Sequence, residues 1–312
     1  MEGRCAMNPI LTYLGTKGKD RMAKVISTQA HEHPLPDDLI CVPDLTYAGQ
    51  DGAVLAADFY LPRDEPAEPL PMVVFVHGGG LFVGNRKANR LYAELLAQRG
   101  YVVMVPDYRL ISQADAIGEI SDVCAALSYM KEHADELGGD LSRVLIIGES
   151  AGGFLALYAT ALLGSALLQE ALGITAPEMR VRALACFGGM LYTTRFDPIG
   201  LVYRRDMYGN RLRDKDFVAL MNPENPRVES NLPPVLQVTS KADFLNSYTL
   251  RYNKALALAG HDHRLIYYEE GKELVHAFPS LHPDLPQSKE VLDELDAWFR
   301  GLARGTAPSL SS

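Results

Sequence analysis

Apolar stretches alternate with amphipathic ones along most of the chain. Met72–His77 is an apolar run without alternation, which is typical of a parallel strand covered on both faces. Arg86–Arg99 has helical periodicity and stops at Gly100, and a further buried strand follows at Tyr101–Val105. Strands that alternate with helices in this way indicate βαβ units and a mostly parallel sheet.

Later segments continue the same rhythm. Strands are predicted at Val54–Leu61, Val144–Ile147, Val181–Phe187, Val235–Val238 and Arg264–Tyr268, and helices at Glu119–Leu137, Gly152–Leu163, Tyr248–Ala259 and Ser288–Leu302. With an antiparallel start in residues 46–61, the pattern predicts an α/β fold of about eight strands, with helices on both faces of the sheet.

Two regions interrupt this rhythm. Residues 1–42 are mixed and polar, and residues 188–231 hold several aromatic and basic side chains without a clear parallel strand. Long insertions in a compact domain are usually functional. We therefore predict an N-terminal cap segment (1–42) and a main domain (43–312) whose insertion at 188–231 completes the cap. Peripheral packing is the alternative role of the insertion.

Charge and composition exclude several classes of partner. The 312 residues include 30 Lys and Arg against 39 Asp and Glu, a formal charge of −9, which argues against nucleic acid as a partner. No apolar run approaches the length of a membrane span, so stable membrane insertion is not expected. The first residues lack the basic and apolar segments of a secretory signal, and four scattered cysteines indicate neither disulfides nor a metal site. These features favour the cytoplasm.

A Gly-Glu-Ser-Ala-Gly motif at 148–152 follows one buried strand and precedes a helix. Small residues are needed there because Ser150 must sit on a sharp, strained turn. The helix N-terminus adds positive partial charge and the free N–H of Ala151. The motif predicts a nucleophilic serine.

A His-Gly-Gly-Gly motif at 77–80 ends another strand. Consecutive glycines let main-chain N–H groups point into a cavity, where they can hold an oxyanion. The alternative is an ordinary tight turn. His77 itself is predicted to orient or pack this loop, because it precedes the nucleophile in the chain.

A serine hydroxyl needs a base, and the base needs a carboxylate partner. His276 lies between the last strand and the last helix, and Asp243 follows the strand at 235–238. The order serine, aspartate, histidine is the one expected for an α/β-hydrolase. Glu269, Glu270 and Glu273 are weaker alternatives for the acid. Asp107 is predicted to be structural and paired with Arg109.

These residues resemble the hormone-sensitive-lipase-like group of α/β-hydrolases, which includes carboxylesterases and acetyl esterases. The resemblance covers about residues 50–303 and rests on the motifs at 77–80, 107–110, 141–143, 148–153 and 276–278 together with Asp243. It implies the α/β-hydrolase fold, an oxyanion hole formed by Gly79, Gly80 and Ala151, and a cap built from the N-terminus and a later insertion. Ala277 stands where the group more often has glycine.

The predicted reaction is ester hydrolysis through an acyl-enzyme, with Ser150, His276 and Asp243 as the catalytic triad. The expected partner is a small-molecule ester with a short- to medium-chain acyl group, acetylated or feruloylated carbohydrate included. Leu81 and Phe82 flank the oxyanion motif and are predicted to line the acyl side. No metal or organic cofactor is needed, and the sequence leaves a homodimer open. A serine peptidase and a non-catalytic ligand-binding homologue are the alternatives.

Overall fold

The computed structural model describes residues 33–303, which form one eight-stranded sheet flanked by helices. The strands are β1 (Leu39–Ala48), β2 (Val54–Pro62), β3 (Leu70–Val76), β4 (Val102–Pro106), β5 (Gly139–Glu149), β6 (Ala183–Phe187), β7 (Val235–Ser240) and β8 (His263–Tyr268). Their order in the sheet is β1-β2-β4-β3-β5-β6-β7-β8. β2 is antiparallel to both of its neighbours and all other pairs are parallel. The predicted mostly parallel sheet is thereby confirmed.

Helices cover both faces of this sheet. They are α1 (Arg90–Gln98), α2 (Ala116–His133), α3 (Ala151–Leu163), α4 (Ala166–Leu172), α5 (Pro198–Tyr208), α6 (Lys215–Leu220), α7 (Pro226–Glu229), α8 (Asn246–Ala259), α9 (Phe278–Leu281) and α10 (Pro286–Ala303). α2, α3 and α8 contribute to one apolar core, and α1 and α10 contribute to a second core on the opposite face.

The central strands have no exposed face, which explains their unbroken apolar runs. Every residue of Met72–Val76 in β3 is completely buried. Burial of one such side chain contributes roughly 1.5–3 kcal/mol, so the run strongly favours a position that is covered on both faces. This layering holds the carboxyl ends of β3, β5 and β7 along one edge, where the candidate residues lie.

The sheet begins earlier than the sequence pattern indicated. Residues 39–42 pair with β2, so the predicted boundary after residue 42 falls inside β1. The pairing is interrupted between Val42 and Leu45, where Pro43 lacks an N–H and Asp44 has a φ of 57°. This irregularity breaks the alternation that would have marked a strand. Residues 1–32 of the predicted cap segment lie outside the described residues.

The insertion at 188–231 is helical in the structure. It contains α5, α6 and α7 and, as predicted, contributes no strand to the sheet. In the part of the chain that the structure describes, no helix combines the length and the apolar character needed to cross a membrane.

Candidate active site

Ser150 stands at the sharp turn between β5 and α3. Its backbone has φ 51° and ψ −120°, a strained conformation for a residue with a side chain. The turn is held by hydrogen bonds from the Ser150 N–H to the Phe187 carbonyl (2.9 Å) and from the Met190 N–H to the Ser150 carbonyl (2.8 Å). These hydrogen bonds hold Ser150 in the strained conformation that exposes its hydroxyl at the end of β5.

The two flanking glycines are required by close backbone packing. A Cβ on Gly148 would lie 2.5 Å from the Gly152 carbonyl oxygen. A Cβ on Gly152 would overlap the carbonyl oxygens of Val76 and His77 at the end of β3. Both positions must therefore be glycine for β3, β5 and α3 to pack this closely beside Ser150.

The structure brings the three predicted triad residues into hydrogen-bonding succession. His276 Nε2 lies 2.8 Å from Ser150 Oγ, and His276 Nδ1 lies 2.7 Å from Asp243 Oδ1. The Asp243 side chain is 2 % exposed, whereas the His276 side chain is 16 % exposed. A buried carboxylate on one ring nitrogen leaves the other nitrogen to accept the serine proton.

Asp243 is fixed by its surroundings. Its carboxylate also accepts hydrogen bonds from the Leu245 N–H (2.8 Å) and the Thr239 hydroxyl (3.2 Å). Gly188 lies behind the pair, and a Cβ there would be 3.0 Å from His276 Nδ1 and would overlap the Asp243 carboxylate. The alternative acids Glu269, Glu270 and Glu273 are all exposed, and His276 Nδ1 bonds to Asp243 instead.

Ser240 and Ala277 shape the loops that carry the acid and the base. The Ser240 hydroxyl donates to the Leu274 carbonyl, which ties the end of β7 to the loop before His276. Ala277 adopts a left-handed φ of 52°, a conformation that glycine reaches at lower cost. The departure from glycine noted in the sequence thus falls at a strained position.

The oxyanion loop (residues 77–82) presents free N–H groups beside Ser150. Gly79 and Gly80 have φ values of 112° and 62°, which L side chains rarely adopt. Within residues 33–303 no acceptor bonds to either N–H, and the N–H of Ala151, the first residue of α3, has no acceptor inside its helix. Three donors are therefore available at one edge of the sheet.

Leu81 and Phe82 have different environments. Leu81 is completely buried in the apolar core and its carbonyl accepts from the Ile111 N–H at 2.7 Å, so the structure gives its side chain a packing role. Phe82 is half-buried and stacks on Tyr203 of α5, with ring centroids 5.6 Å apart. Of the two residues predicted to line the acyl side, only Phe82 remains a candidate.

His77 packs behind the loop, as its position in the chain predicted. Its ring stacks on Tyr108 with centroids 4.3 Å apart, and its Nδ1 lies 2.8 Å from the Gly78 carbonyl. The Tyr108 hydroxyl donates to the His77 carbonyl at 3.0 Å. Burial lowers the pKa of His77, which keeps the ring neutral.

The predicted pairing of Asp107 with Arg109 is wrong. Asp107 binds Arg86, which also bonds to Asp58 at 2.7 Å, whereas Arg109 binds Asp122 of α2 at 2.7 Å. The reason is that Asp107 directly follows β4 and lies beside Arg86 in the segment after the oxyanion loop, whereas Arg109 faces α2. Asp107 and Arg109 are close in the sequence, but their side chains bind different partners.

Glu149 is a site residue whose role the sequence did not predict. It is 4 % exposed, its Oε1 accepts from the Gly78 N–H at 3.1 Å, and its other oxygen accepts from the Ser280 hydroxyl of α9. Burial raises the pKa of Glu149. One carboxyl group therefore connects the serine turn, the oxyanion loop and the segment after His276.

Among residues 33–303 there is no cluster of three side chains suited to hold a metal ion. The chemistry that the arrangement can perform is acyl transfer: a serine with a base, a base with a buried acid, and N–H donors for a developing oxyanion.

The chain is similar to known esterases in sequence. The BD-FAE family model matches residues 57–250. The chain is 28 % identical over 235 residues to ethyl acetate hydrolase of Pseudomonas putida, covering 72 % of each protein. It is 38 % identical over 99 residues to a probable isoprenylcysteine alpha-carbonyl methylesterase of Oryza sativa subsp. japonica, of which it spans 24 %.

Solved structures show the same fold. Esterase B of Lactobacillus rhamnosis superposes with a TM-score of 0.84 at 24 % identity, covering 95 % of this chain and 96 % of that one. Brefeldin A esterase, described as a bacterial homologue of human hormone-sensitive lipase, gives a TM-score of 0.74 at 21 % identity over 97 % and 89 %. The predicted α/β-hydrolase fold is confirmed.

Proposed function

The chain belongs to the BD-FAE family, and from this premise we propose that it is a serine ester hydrolase that works through an acyl-enzyme. The observation that carries the proposal is the succession Ser150–His276–Asp243, with hydrogen-bond distances of 2.8 and 2.7 Å, beside the free N–H groups of the oxyanion loop. A binding protein without catalysis has no need for a strained serine in this succession.

In the first half of the reaction, Ser150 Oγ attacks the ester carbonyl carbon and His276 Nε2 takes the hydroxyl proton. Asp243 accepts the Nδ1–H bond, which fixes the tautomer and stabilises the imidazolium. The carbonyl oxygen becomes an oxyanion that the N–H groups of Gly79, Gly80 and Ala151 bind. Collapse of this intermediate expels the alcohol, which receives its proton from His276.

In the second half, water replaces the alcohol. His276 removes a proton from the water as its oxygen attacks the acyl-enzyme carbonyl, and the same N–H groups bind the second oxyanion. The proton on His276 then returns to Ser150 Oγ, and the carboxylic acid departs.

We propose esters of short- to medium-chain acids as the substrates. Ethyl acetate hydrolase supports the short end of this range by its name, and a solved structure of esterase B is described as inhibited by a C4-C4 tributyrin phosphonate. Phe82 and Tyr203, stacked beside Gly80, narrow the space next to the oxyanion loop. Acetylated and feruloylated carbohydrates belong to the same reaction class and are included in the test.

The test is a p-nitrophenyl ester series from acetate to decanoate, extended to acetylated and feruloylated sugars and to a peptide p-nitroanilide. We expect turnover that is highest among the shorter acyl chains. Ser150→Ala should lower kcat by roughly 10⁶-fold, the loss measured when a serine hydrolase loses its nucleophile. Ser128→Ala on α2, whose hydroxyl bonds to the Cys124 carbonyl, is the matched control and should retain full activity.

Turnover that survives Ser150→Ala would refute the assignment. Cleavage of the anilide in preference to every ester would support the peptidase. Binding of esters by the wild-type protein without any turnover would support a ligand-binding homologue.

A further inference from the structure

Helix α5 of the insertion is anchored at both of its ends. At its start, the Asp197 carboxylate accepts from the Gly200 N–H (2.9 Å) and from the Tyr248 hydroxyl (2.7 Å) at the beginning of α8. At its end, Tyr208 is buried and shares a hydrogen bond with the Thr193 hydroxyl. The helix therefore holds its central side chains in defined positions.

Tyr203, in the middle of α5, reaches the oxyanion loop. Its hydroxyl oxygen lies 2.6 Å from the position that a Cβ on Gly80 would occupy. The ring is held by stacking on Phe82, with an interplanar angle of 24°. The hydroxyl thus sits beside the residue whose N–H is a predicted oxyanion donor.

The hydroxyl of Tyr203 is free to bind a substrate. Among residues 33–303 it has no hydrogen-bond partner. Other insertion tyrosines differ in this respect, because Tyr192 donates to Glu224 and Tyr208 bonds to Thr193. The Tyr203 side chain is half-buried, so its hydroxyl is left to bond to water or to a ligand.

Its protonation state suits a donor. Burial raises the pKa of Tyr203 to about 12, so the phenol carries its proton throughout the working range of a histidine base. A hydroxyl can rotate its hydrogen toward an acceptor, in contrast to the fixed N–H groups of the loop.

We propose that Tyr203 is a further catalytic residue, whose O–H donates a hydrogen bond to the oxyanion that Gly79, Gly80 and Ala151 bind. This inference rests on the proposed ester hydrolysis and adds to it a donor from the insertion. Because the bond strengthens as negative charge develops on the oxygen, its contribution falls on kcat rather than on KM.

The test compares Tyr203→Phe, which keeps the ring and its stacking on Phe82, with Tyr192→Phe, which removes a tyrosine hydroxyl elsewhere in the insertion. Rates are measured with p-nitrophenyl acetate and butyrate. In Tyr203→Phe we expect kcat to fall at least fivefold for both esters while KM changes less than threefold. Tyr192→Phe should stay within twofold of the wild type. A smaller fall in Tyr203→Phe, or the same fall in both variants, overturns the proposal.

A second measurement covers the case in which the phenylalanine variant folds poorly. A fluorinated tyrosine at position 203 keeps the shape of the ring but ionises at lower pH, and a phenolate cannot donate. We expect a new loss of kcat on the alkaline side of the pH profile, absent from the wild type. An unchanged profile overturns the proposal. Absence of turnover by the wild-type protein would instead refute the proposed function itself.

Discussion

Replacement of Gly80 by alanine tests the placement of Tyr203 without depending on catalysis. Gly80 has a φ of 62°, where alanine costs about 1–2 kcal/mol, partly offset by about 0.4–1 kcal/mol from the reduced freedom of the unfolded chain. The new Cβ would also lie 2.6 Å from the Tyr203 oxygen and 3.1 Å from Phe82 Cε1. Overpacking of this kind costs typically about 1–3 kcal/mol. Gly80→Ala should therefore lower the free energy of unfolding by roughly 1–4.6 kcal/mol, with the middle of that range near 3 kcal/mol.

The overlap with the oxygen is removed when Tyr203 is phenylalanine. In the Tyr203→Phe background we expect Gly80→Ala to cost only about 1–2 kcal/mol, because the strained backbone and the contact with Phe82 remain. The double-mutant cycle should thus show an interaction free energy of roughly 1–2 kcal/mol between the two positions. Urea unfolding of the wild type, the two single variants and the double variant measures it, provided that the m-values agree.

Gly173 supplies a matched control. It has a similar φ of 68° at the end of α4, and nothing lies within 4 Å of a Cβ built there. Gly173→Ala should carry the backbone cost alone and should add to Tyr203→Phe within about 0.5 kcal/mol. If Gly80→Ala costs the same in both backgrounds, Tyr203 does not lie against the oxyanion loop, and the proposed donor loses its geometric basis.

Three further predictions concern groups around the site. Glu119 of α2 is completely buried, with both oxygens unpartnered within residues 33–303, and burial raises its pKa far above the usual range. The contribution of Glu119 to the free energy of unfolding should therefore fall as pH rises above about 4.5. Melting temperatures should show Glu119→Gln gaining on the wild type from pH 4.5 to 8, and a constant difference would contradict this. Ala277→Gly should leave the free energy of unfolding unchanged or raise it by up to about 1 kcal/mol, measured by thermal unfolding. Glycine removes the left-handed strain at this position but increases the entropy of the unfolded chain. A decrease of more than about 1 kcal/mol would show that the backbone of Ala277 is not strained. Glu149→Ala should lower the kcat of ester hydrolysis more than Glu149→Gln does, because only alanine leaves the Gly78 N–H without an acceptor. Equal losses in the two variants would show that the charge of Glu149 matters rather than this hydrogen bond.

Much of the fold was predictable because the central strands are buried on both faces. The run at residues 72–76 has no polar position, and its short length and its valines favour a parallel strand between helices. The start of β1 was not predictable, because Pro43 and Asp44 interrupt the pairing with β2 and disguise the strand. A strand cannot be recognised from its alternating pattern where an irregular residue interrupts that pattern.

Some site residues could likewise be predicted from the sequence, and others could not. Ser150, Asp243 and His276 could be located because each follows a strand in the order that the fold requires, and the parallel topology brings the ends of β5, β7 and β8 to one edge. Asp107 shows the limit of this reasoning, since the sequence paired it with its neighbour Arg109 and the structure pairs it with Arg86. Side-chain partners depend on packing between elements, which periodicity does not encode.

Glu149 and Tyr203 extend this limit to the chemistry of the site. Glu149 lies inside the most recognisable motif of the chain, yet its contacts with Gly78 and Ser280 join segments that are 71 and 131 residues away. Tyr203 lies in an insertion whose helices carry no motif, and it reaches Gly80 from a helix whose two ends are held by hydrogen bonds of Asp197 and Tyr208. A motif therefore locates the reacting atoms, whereas the groups that hold and supplement them come from tertiary contacts. It follows that substitutions in the insertion, rather than in the motifs, should separate this chain's rate and ester preference from those of its relatives.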